Sequence, residues 1–363
     1  MVGIGTAGGG TFASAAEANT WWKQQVASAH IQSDETLSAE PMAGPVAFIS
    51  FPFAPTGQYE VVVPRIVIGR RHGQSWLTSW DGATLVTPPS PTRALPHLDF
   101  QTGHLDRDHW MAAVRGILNH IQDGSVDKVV LARDETATAT TEIDPRPVLA
   151  TLAASYPQTW TFYVKHLVGA TPELLVRQTA GQITSRVLAG TIPGNPASTS
   201  LADALRTSEK DLAEHHYALA SVVQALTGHA TNLKVPDHPF VLRLPNVMHL
   251  ASDVTGTVRP GGSVIELADL IHPTAAVCGT PTAQARAIIT ELEGMDRNRY
   301  AGPVGWVNAT GDGEIALALR CGLIEGTQVR IFAGGGIVAD SDPATEWDET
   351  VAKLQPMKQV FMP

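Results

Sequence analysis

The sequence predicts an α/β protein with largely antiparallel sheets and helices packed on the outside. The first observation is a series of short β-prone runs separated by Pro and Gly, which is typical of strands joined by turns. The second is apolar residues at helical spacing, as at Trp110, Val114, Ile117 and Ile121. The third is the turn at residues 308–313, whose Asn, Asp and Gly between two β-prone runs indicate a hairpin.

The composition places the chain among globular proteins. Of its 363 residues, 44% are hydrophobic and 17% are charged, and the length corresponds to roughly two domains. The net charge of −10 argues against a nucleic-acid partner and against binding to anionic membranes. No apolar run approaches the roughly 18 residues of a membrane span, and the N-terminus lacks a signal-peptide pattern. Because Cys278 and Cys321 form no disulfide framework, we expect a soluble, cytoplasmic protein.

The proline-rich residues 88–96 form the best candidate boundary within the chain. We therefore expect an N-terminal part over residues 1–100, with one helix and short strands, and a larger part over residues 101–363. We expect the two parts to fold together as one compact domain.

Helices are predicted where apolar residues recur every three or four positions and capping residues mark the ends. The predicted helices cover residues 13–35, 106–124, 145–155, 208–226, 282–295 and 343–354. Strands are predicted at apolar, β-branched runs. The predicted strands cover residues 46–51, 59–68, 127–133, 160–165, 183–189, 302–308, 314–322 and 328–333, with a weaker run near Trp76. A further strand follows a tight turn at Gly169 and ends at Arg177, and residues 247–258 form a hairpin or a bent strand.

The predicted helix over residues 343–354 carries charged residues on one face. Glu346, Glu349 and Lys353 are three and then four positions apart, and such side chains are neighbours on a helix. Upstream, Gly334–Gly336 predicts a glycine turn where backbone amides can approach a ligand. Carboxylates suit Mg²⁺, while amides and a lysine suit an anion, which indicates an anionic substrate held partly through a metal. The alternative is a solvated helix face with a Glu–Lys pair.

Four further charged residues are candidates for chemistry. Lys128 lies in an apolar strand, where burial would lower its pKa and suit a general base; the alternative is a lysine that reaches solvent. Glu173 precedes an apolar run, where burial would favour a general acid; the alternative is an ordinary turn residue. Glu209 opens a predicted helix, where capping alone explains a carboxylate. Arg320 ends an apolar strand and indicates a planar anionic partner.

Other familiar site patterns are weak. Glu214, His215 and His216 suit zinc by residue type, but no second ligand group with metal-site spacing accompanies them. The glycine run lacks the full Gly-x-Gly-x-x-Gly frame of a dinucleotide site, and the sequence contains neither a Gly-x-Ser-x-Gly nor a phosphate-binding Gly-Lys motif. Zinc, dinucleotide and serine-hydrolase chemistry are therefore disfavoured.

Seven short segments occur in a fixed order along the chain. They are Lys128–Arg133, Gly169–Leu175, Leu188–Thr191, Ser208–Asp211, His272–Gly279, Ile331–Val338 and Glu346–Lys353. Together they resemble the chorismate-utilising enzyme family, which includes isochorismate synthases, salicylate synthases, anthranilate synthase component I and aminodeoxychorismate synthases. The resemblance covers about residues 100–358.

The resemblance implies two packed, largely antiparallel β-sheets with peripheral helices, and a chorismate-binding catalytic region over residues 101–363. It implies chorismate as the substrate, Mg²⁺ as the cofactor and a monomeric protein. It places Glu209 and Glu349 on the metal, with Glu346 nearby through a water. Around the substrate it places Gly190, Thr191, His249, Ala276, Arg320, Gly334 and Lys353.

Within the family, Lys128 and the segment His272–Gly279 resemble isochorismate synthases more closely than ammonia-using members or salicylate synthases. This implies water as the nucleophile at C2 of chorismate, with Lys128 as general base and Glu173 as the acid that protonates the departing C4 hydroxyl. Salicylate synthase and a catalytically silent chorismate-binding relative are the alternatives. The product would serve siderophore or menaquinone synthesis.

Overall fold

The computed structural model describes residues 1–33, 40, 42–71, 73–84, 90–259 and 261–362. Its helices are α1 (Ala15–Ser28), α2 (Arg107–Gln122), α3 (Pro145–Ser155), α4 (Thr199–Thr207), α5 (Glu209–Leu226), α6 (Val264–Ile271), α7 (Thr282–Glu293) and α8 (Pro343–Val360). Its strands are β1 (Val2–Ile4), β2 (Gly8–Phe12), β3 (Val46–Ser50), β4 (Tyr59–Val63), β5 (Ile66–Arg71), β6 (Gln74–Ser79), β7 (Gln101–Thr102), β8 (Lys128–Thr138), β9 (Trp160–Val164), β10 (Leu167–Thr171), β11 (Leu174–Thr179), β12 (Gln182–Pro193), β13 (Thr231–Lys234), β14 (Phe240–Arg243), β15 (Val247–Thr257), β16 (Gly279–Thr280), β17 (Pro303–Asn308), β18 (Gly313–Leu317), β19 (Cys321–Glu325) and β20 (Gln328–Ile337). None of the helices in these ranges is both long and apolar enough to cross a membrane.

The described strands form three sheets. The largest has ten strands in the order β13-β15-β12-β11-β18-β17-β3-β4-β2, with β14 also paired to β15. The second has seven strands in the order β16-β8-β20-β19-β10-β9, with β7 also paired to β8, and the third consists of β1, β5 and β6. Every described pairing between two of these strands is antiparallel. The predicted α/β class with two large, antiparallel sheets is confirmed, and the small third sheet is an addition.

The two large sheets share one hydrophobic core. A single cluster of buried residues includes Val129 and Leu131 of the seven-stranded sheet and Val61, Val176 and Ile315 of the ten-stranded sheet. These residues face one another because side chains alternate between the two faces of a strand, and the apolar face of each sheet packs against the other. The core therefore fixes the relative position of the strands that carry the candidate site.

The N-terminal strands belong partly to the largest sheet. β3 pairs with β17, and β4 and β2 follow on its outer side. The prediction of one strand over residues 59–68 is wrong: Pro64, which has no backbone N–H, separates β4 from β5, and the two join different sheets. The division at residue 100 stays a prediction. Residues 34–35 of the first predicted helix and residues 88–89 of the predicted boundary loop lie outside the described residues.

Three further differences from the sequence-based predictions have local physical reasons. The predicted turn at Gly169 is wrong: the residue lies within β10, where a Cβ would come within 2.5 Å of Cys321 Cβ. The predicted strand over residues 314–322 is interrupted at Arg320, whose φ of +48° separates β18 from β19. Helices α4 and α6 were not expected because, at nine and eight residues, they are shorter than the window in which helical periodicity is decisive.

Candidate active site

A cavity is lined by residues of both large sheets and of α5 and α8. It encloses about 570 Å³ of empty space, part of which is open to solvent. Seven residues that the sequence resemblance implies for the site line this cavity: Glu173, Thr191, His249, Ala276, Arg320, Gly334 and Lys353. The other five are not among its lining residues: Lys128, Gly190, Glu209, Glu346 and Glu349.

Lys128 lies directly behind the cavity wall. It is the first residue of β8 and its side chain is fully buried. Its Nζ lies 3.2 Å from Oε1 of Glu214, a residue that does line the cavity. Lys128 is therefore an interior lysine held by an ion pair rather than a strand-end lysine that reaches solvent.

Glu173 lies between β10 and β11 and is 4% exposed. Burial raises the pKa of this carboxyl to about 8. A hydrogen bond from the Leu188 backbone and the positive charges of Lys128, Arg320 and Lys353 oppose this shift. Desolvation outweighs these contacts because it penalises the charged form of a fully enclosed group. Glu173 is therefore mostly protonated at neutral pH, as a general acid must be.

Three buried glutamates and three lysines form a charged cluster beside the cavity. Lys210 Nζ lies 2.6 Å from Glu346 Oε1, Lys353 pairs with Glu349, and Lys128 pairs with Glu214. Burial, followed by repulsion from Glu349, raises the pKa of Glu346 to about 7. Burial also opposes ionisation of Glu214, but the charges of Lys128, Lys353 and Lys210 outweigh it and lower its pKa.

Glu209 does not join this cluster. It is exposed in the first turn of α5, whereas Glu214, five residues later, is buried. Five residues correspond to a rotation of about 140° around a helix, so the two carboxylates lie on different faces. In the sequence, Glu214 is a candidate only for a zinc ligand. A signal was present, because Glu214 begins the buried stripe that Ala218 and Val222 continue at intervals of four residues.

The glycine run Gly334–Gly336 is part of β20, so the predicted glycine turn is wrong. A Cβ at Gly336 would lie 2.1 Å from Glu214 Oε1 and 2.8 Å from Lys128 Cε. A Cβ at Gly335 would lie 3.0 Å from Glu346 Oε2. The glycines are therefore needed inside the strand because the charged cluster occupies the space that side chains would fill.

Arg297 and Tyr300 also line the cavity, and sequence reasoning did not identify either. Arg297 is paired with Glu293 and donates to the backbone oxygens of Val277 (2.8 Å) and Val130 (2.7 Å). Tyr300 stacks on Phe332 with ring centroids 5.0 Å apart. Both residues follow α7 in an irregular segment, where periodicity gives no information about burial.

Within the described ranges, no three His, Cys, Asp or Glu side chains are grouped so that they alone could hold a metal ion. Each glutamate of the cluster is instead paired with a lysine. The donor set nevertheless fits Mg²⁺, because this ion prefers carboxylate oxygens and takes only one or two of them, with substrate and water completing its coordination.

The fold and the cavity agree with the comparison to known families. A model of the family described as "Chorismate binding enzyme" matches residues 79–362. The chain belongs to this family.

Similar proteins of the family carry one recurring name. The chain is 36% identical over 260 residues to isochorismate synthase MenF of Bacillus subtilis, a match of 70% of this chain and 55% of that protein. It is 37% identical over 244 residues to isochorismate synthase EntC of Escherichia coli K12, covering 65% of this chain and 62% of that protein. The chain thus spans little more than half of the length of these relatives.

Solved structures extend the similarity to nearly the whole chain. A putative 2,3-dihydroxybenzoate-specific isochorismate synthase, DhbC from Bacillus anthracis, superposes with a TM-score of 0.81 at 28% identity over 99% of this chain and 93% of that chain. The menaquinone-specific isochorismate synthase MenF from Escherichia coli gives 0.80 at 25% identity, over 98% and 84% of the two chains.

Proposed function

We propose that this protein is an isochorismate synthase, which converts chorismate into its isomer isochorismate. The observation that carries the proposal is a buried lysine, held against a cavity-lining glutamate, together with a second buried glutamate whose pKa is about 8. This combination supplies an amine that can pass a proton to a neighbouring carboxylate and a carboxyl that holds a proton at neutral pH. Similarity to relatives named isochorismate synthase supports the same substrate and reaction.

The proton transfers assign one role to each residue. Lys128, once it has released the proton that it holds in its ion pair with Glu214, removes a proton from a water molecule, whose oxygen forms a bond to C2 of the ring. The ring double bonds shift, the C4–O bond breaks, and Glu173 protonates the departing hydroxyl. One water is consumed and one is released, so the product has the composition of the substrate. Arg320 and Lys353 provide positive charge on the cavity wall for the two carboxylates of chorismate.

We further propose Mg²⁺ as the cofactor, with Glu214 and Glu349 as its carboxylate ligands and Glu346 nearby through a water. Glu214 takes the place of Glu209 in this set because it is buried beside the other two, whereas Glu209 faces solvent. Burial raises the pKa of Glu346 and repulsion from Glu349 and Glu214 acts in the same direction, so a cation bound beside it would favour its charged form. When bound, the ion supplies the positive charge that offsets repulsion between these glutamates and a dianionic substrate.

Incubation of the purified protein with chorismate, with and without Mg²⁺, tests the proposal. The products must be separated by chromatography because chorismate and isochorismate have the same mass. We expect a new isomer peak that requires Mg²⁺. Stoichiometric salicylate and pyruvate would instead identify a salicylate synthase, and absence of turnover by folded protein with Mg²⁺ would contradict an enzymatic role.

The rate is expected to depend on the protonation of Glu173. Because its pKa is raised to about 8, the acid form is present below that pH and is lost as the pH rises through it. We therefore expect kcat to fall about tenfold per pH unit above this value. A profile of kcat against pH at saturating Mg²⁺ and chorismate measures this, and a level profile well above pH 8 would contradict the assignment.

The metal assignment predicts opposite results for two glutamates of the same helix. Glu214→Gln should raise the Mg²⁺ concentration for half-maximal activity at least about tenfold, since it removes a buried ligand charge. Glu209→Gln is the matched control and should leave it unchanged, because this carboxylate is exposed in the first turn of the helix, next to the N-cap Ser208. Equal effects of the two substitutions would contradict the assignment of Glu214.

The cellular location and assembly follow as further proposals. We propose that the protein acts in the cytoplasm as a monomer. Both cysteines, Cys278 and Cys321, are free and buried, which suits a reducing compartment. The product would feed siderophore or menaquinone synthesis.

A further inference from the structure

A chain of three polar side chains runs along one wall of the cavity. Thr191 Oγ1 lies 3.0 Å from His249 Nδ1, and Arg320 Nη2 lies 3.1 Å from His249 Nε2. His249 is 5% exposed and Arg320 is 9% exposed, so bulk water does not compete for these contacts. All three residues line the cavity.

A β-bulge brings Thr191 and His249 together. In the pairing of β12 with β15, Ala189 is opposite Leu250, but the register then shifts so that Thr191 rather than Gly190 is opposite His249. Directly opposite residues carry their side chains on the same face, about 4.5–5.5 Å apart at Cβ. Gly190 has φ +77°, a conformation that glycine adopts without strain. The glycine therefore permits the contact between the threonine and the histidine.

The direction of the hydrogen bonds follows from the chemistry of the guanidinium group. Arginine has donors and no acceptor, so His249 Nε2 must accept from Arg320. Burial lowers the pKa of His249 well below its ordinary value, the charges of Arg320 and Lys353 act in the same direction, and a hydrogen bond with the Gly190 backbone opposes them. In a neutral ring the proton then lies on Nδ1, which donates to Thr191 Oγ1. The hydroxyl proton of Thr191 is left for another acceptor.

We propose that His249 is a positioning residue that fixes the direction of this hydrogen-bond chain, so that Thr191 presents its hydroxyl proton to the ligand in the cavity. The ligand atom that receives this proton is then a hydrogen-bond acceptor, such as a carboxylate, ether or hydroxyl oxygen. Arg320 is held in the same arrangement and keeps its remaining N–H groups for an anionic group. The identity of the ligand as chorismate rests on the proposed function; the direction of the chain does not.

The direction of the chain can be measured on the free protein. Nitrogen-15 NMR of the histidine rings at neutral pH distinguishes the two neutral forms from each other and from the charged ring. With 13 histidines in the sequence, the His249 signals are assigned as those missing from His249→Gln. We expect a neutral ring with its proton on Nδ1. A proton on Nε2, or a charged ring, would overturn the proposal whatever the protein acts on.

Substitutions of His249 test the positioning role through separate changes in KM and kcat, which a purely structural role would not produce. His249→Gln keeps an acceptor for Arg320, whereas His249→Leu removes it. We expect His249→Leu to raise KM for chorismate at least about tenfold with a smaller change in kcat, the scale of a hydrogen bond to a charged group, and His249→Gln to retain most of the affinity. Equal losses of kcat in both variants, with KM unchanged, would indicate proton transfer by His249 and would overturn the proposal.

Thr191 provides the second pair of variants. Thr191→Ser keeps the hydroxyl and should bind chorismate nearly as well as the native protein. Thr191→Val keeps the shape but has no proton to donate, and it should raise KM about tenfold. If the valine variant bound as tightly as the serine variant, the hydroxyl would not contact an acceptor, which would refute the predicted ligand contact.

Discussion

Replacing Lys128 by methionine is expected to lower the turnover of chorismate at least about 100-fold, the lower end of the range for a positioned base. Methionine resembles lysine in length and fills the buried space that the aliphatic chain occupies, so the loss reports the amine rather than a cavity. It also leaves Glu214 without its ion-pair partner. Steady-state kinetics with saturating Mg²⁺ measure the effect.

A second substitution separates the loss of the base from the loss of the ion pair. Lys128→Arg keeps a positive charge beside Glu214, but a guanidinium remains protonated and cannot act as a base. We expect turnover to be equally low in this variant. Lys234→Met, at an exposed strand position, is the control and should be fully active. Near-normal turnover in either Lys128 variant, with folding verified by circular dichroism, would remove Lys128 from the proposed role.

Glu173→Gln is expected to lower turnover by at least about 100-fold as well, because an amide matches the carboxyl in size but cannot deliver a proton to the leaving hydroxyl. The remaining kcat of the variant should also no longer fall as the pH rises through about 8, because that fall is assigned to the Glu173 carboxyl. Measurement of kcat against pH for the native and variant proteins tests both statements. A variant that kept the alkaline fall in kcat would show that another group causes it.

Stability provides the control for this variant. The folded pKa of Glu173 lies above its ordinary value of 4.5, so the folded state binds more protons than the unfolded state between these two values, and its stability falls as the pH rises through that window. Glutamine cannot ionise, so it removes the loss of folding stability that this buried carboxyl causes as the pH rises. We therefore expect the Tm of Glu173→Gln at neutral pH to equal or exceed that of the native protein. Glu325→Gln, at an exposed strand end, should change neither Tm nor turnover.

The sequence was sufficient for many strands of the two large sheets and, through the family resemblance, for seven residues of the cavity wall. Alternating apolar runs and turn residues predict strands because their spacing is a local property. Residues such as Glu173 and Arg320 could be identified as unusual because a charge stood at the edge of an apolar run. Their burial together in one cavity depends on strand order, which local patterns do not contain.

The remaining features of the site depend on contacts between distant segments. Gly336 lies within a strand because Lys128 and Glu214, from another strand and a helix, occupy the space beside it. The contact between Thr191 and His249 depends on a register shift, which one sequence does not reveal. The apolar stripe of α5 marks Glu214 rather than Glu209 as the buried carboxylate of that helix, and this signal was present in the sequence alone.

The most direct test of the proposed chemistry is turnover of chorismate in water enriched in ¹⁸O. The products are separated by chromatography and their masses are measured by mass spectrometry. If water activated by Lys128 attacks C2 and the original C4 hydroxyl departs, the initial product must be an isomer of chorismate that carries one heavy oxygen. An unlabelled isomer would mean that the hydroxyl group moves within the substrate, and the roles given to Lys128 and Glu173 would be wrong.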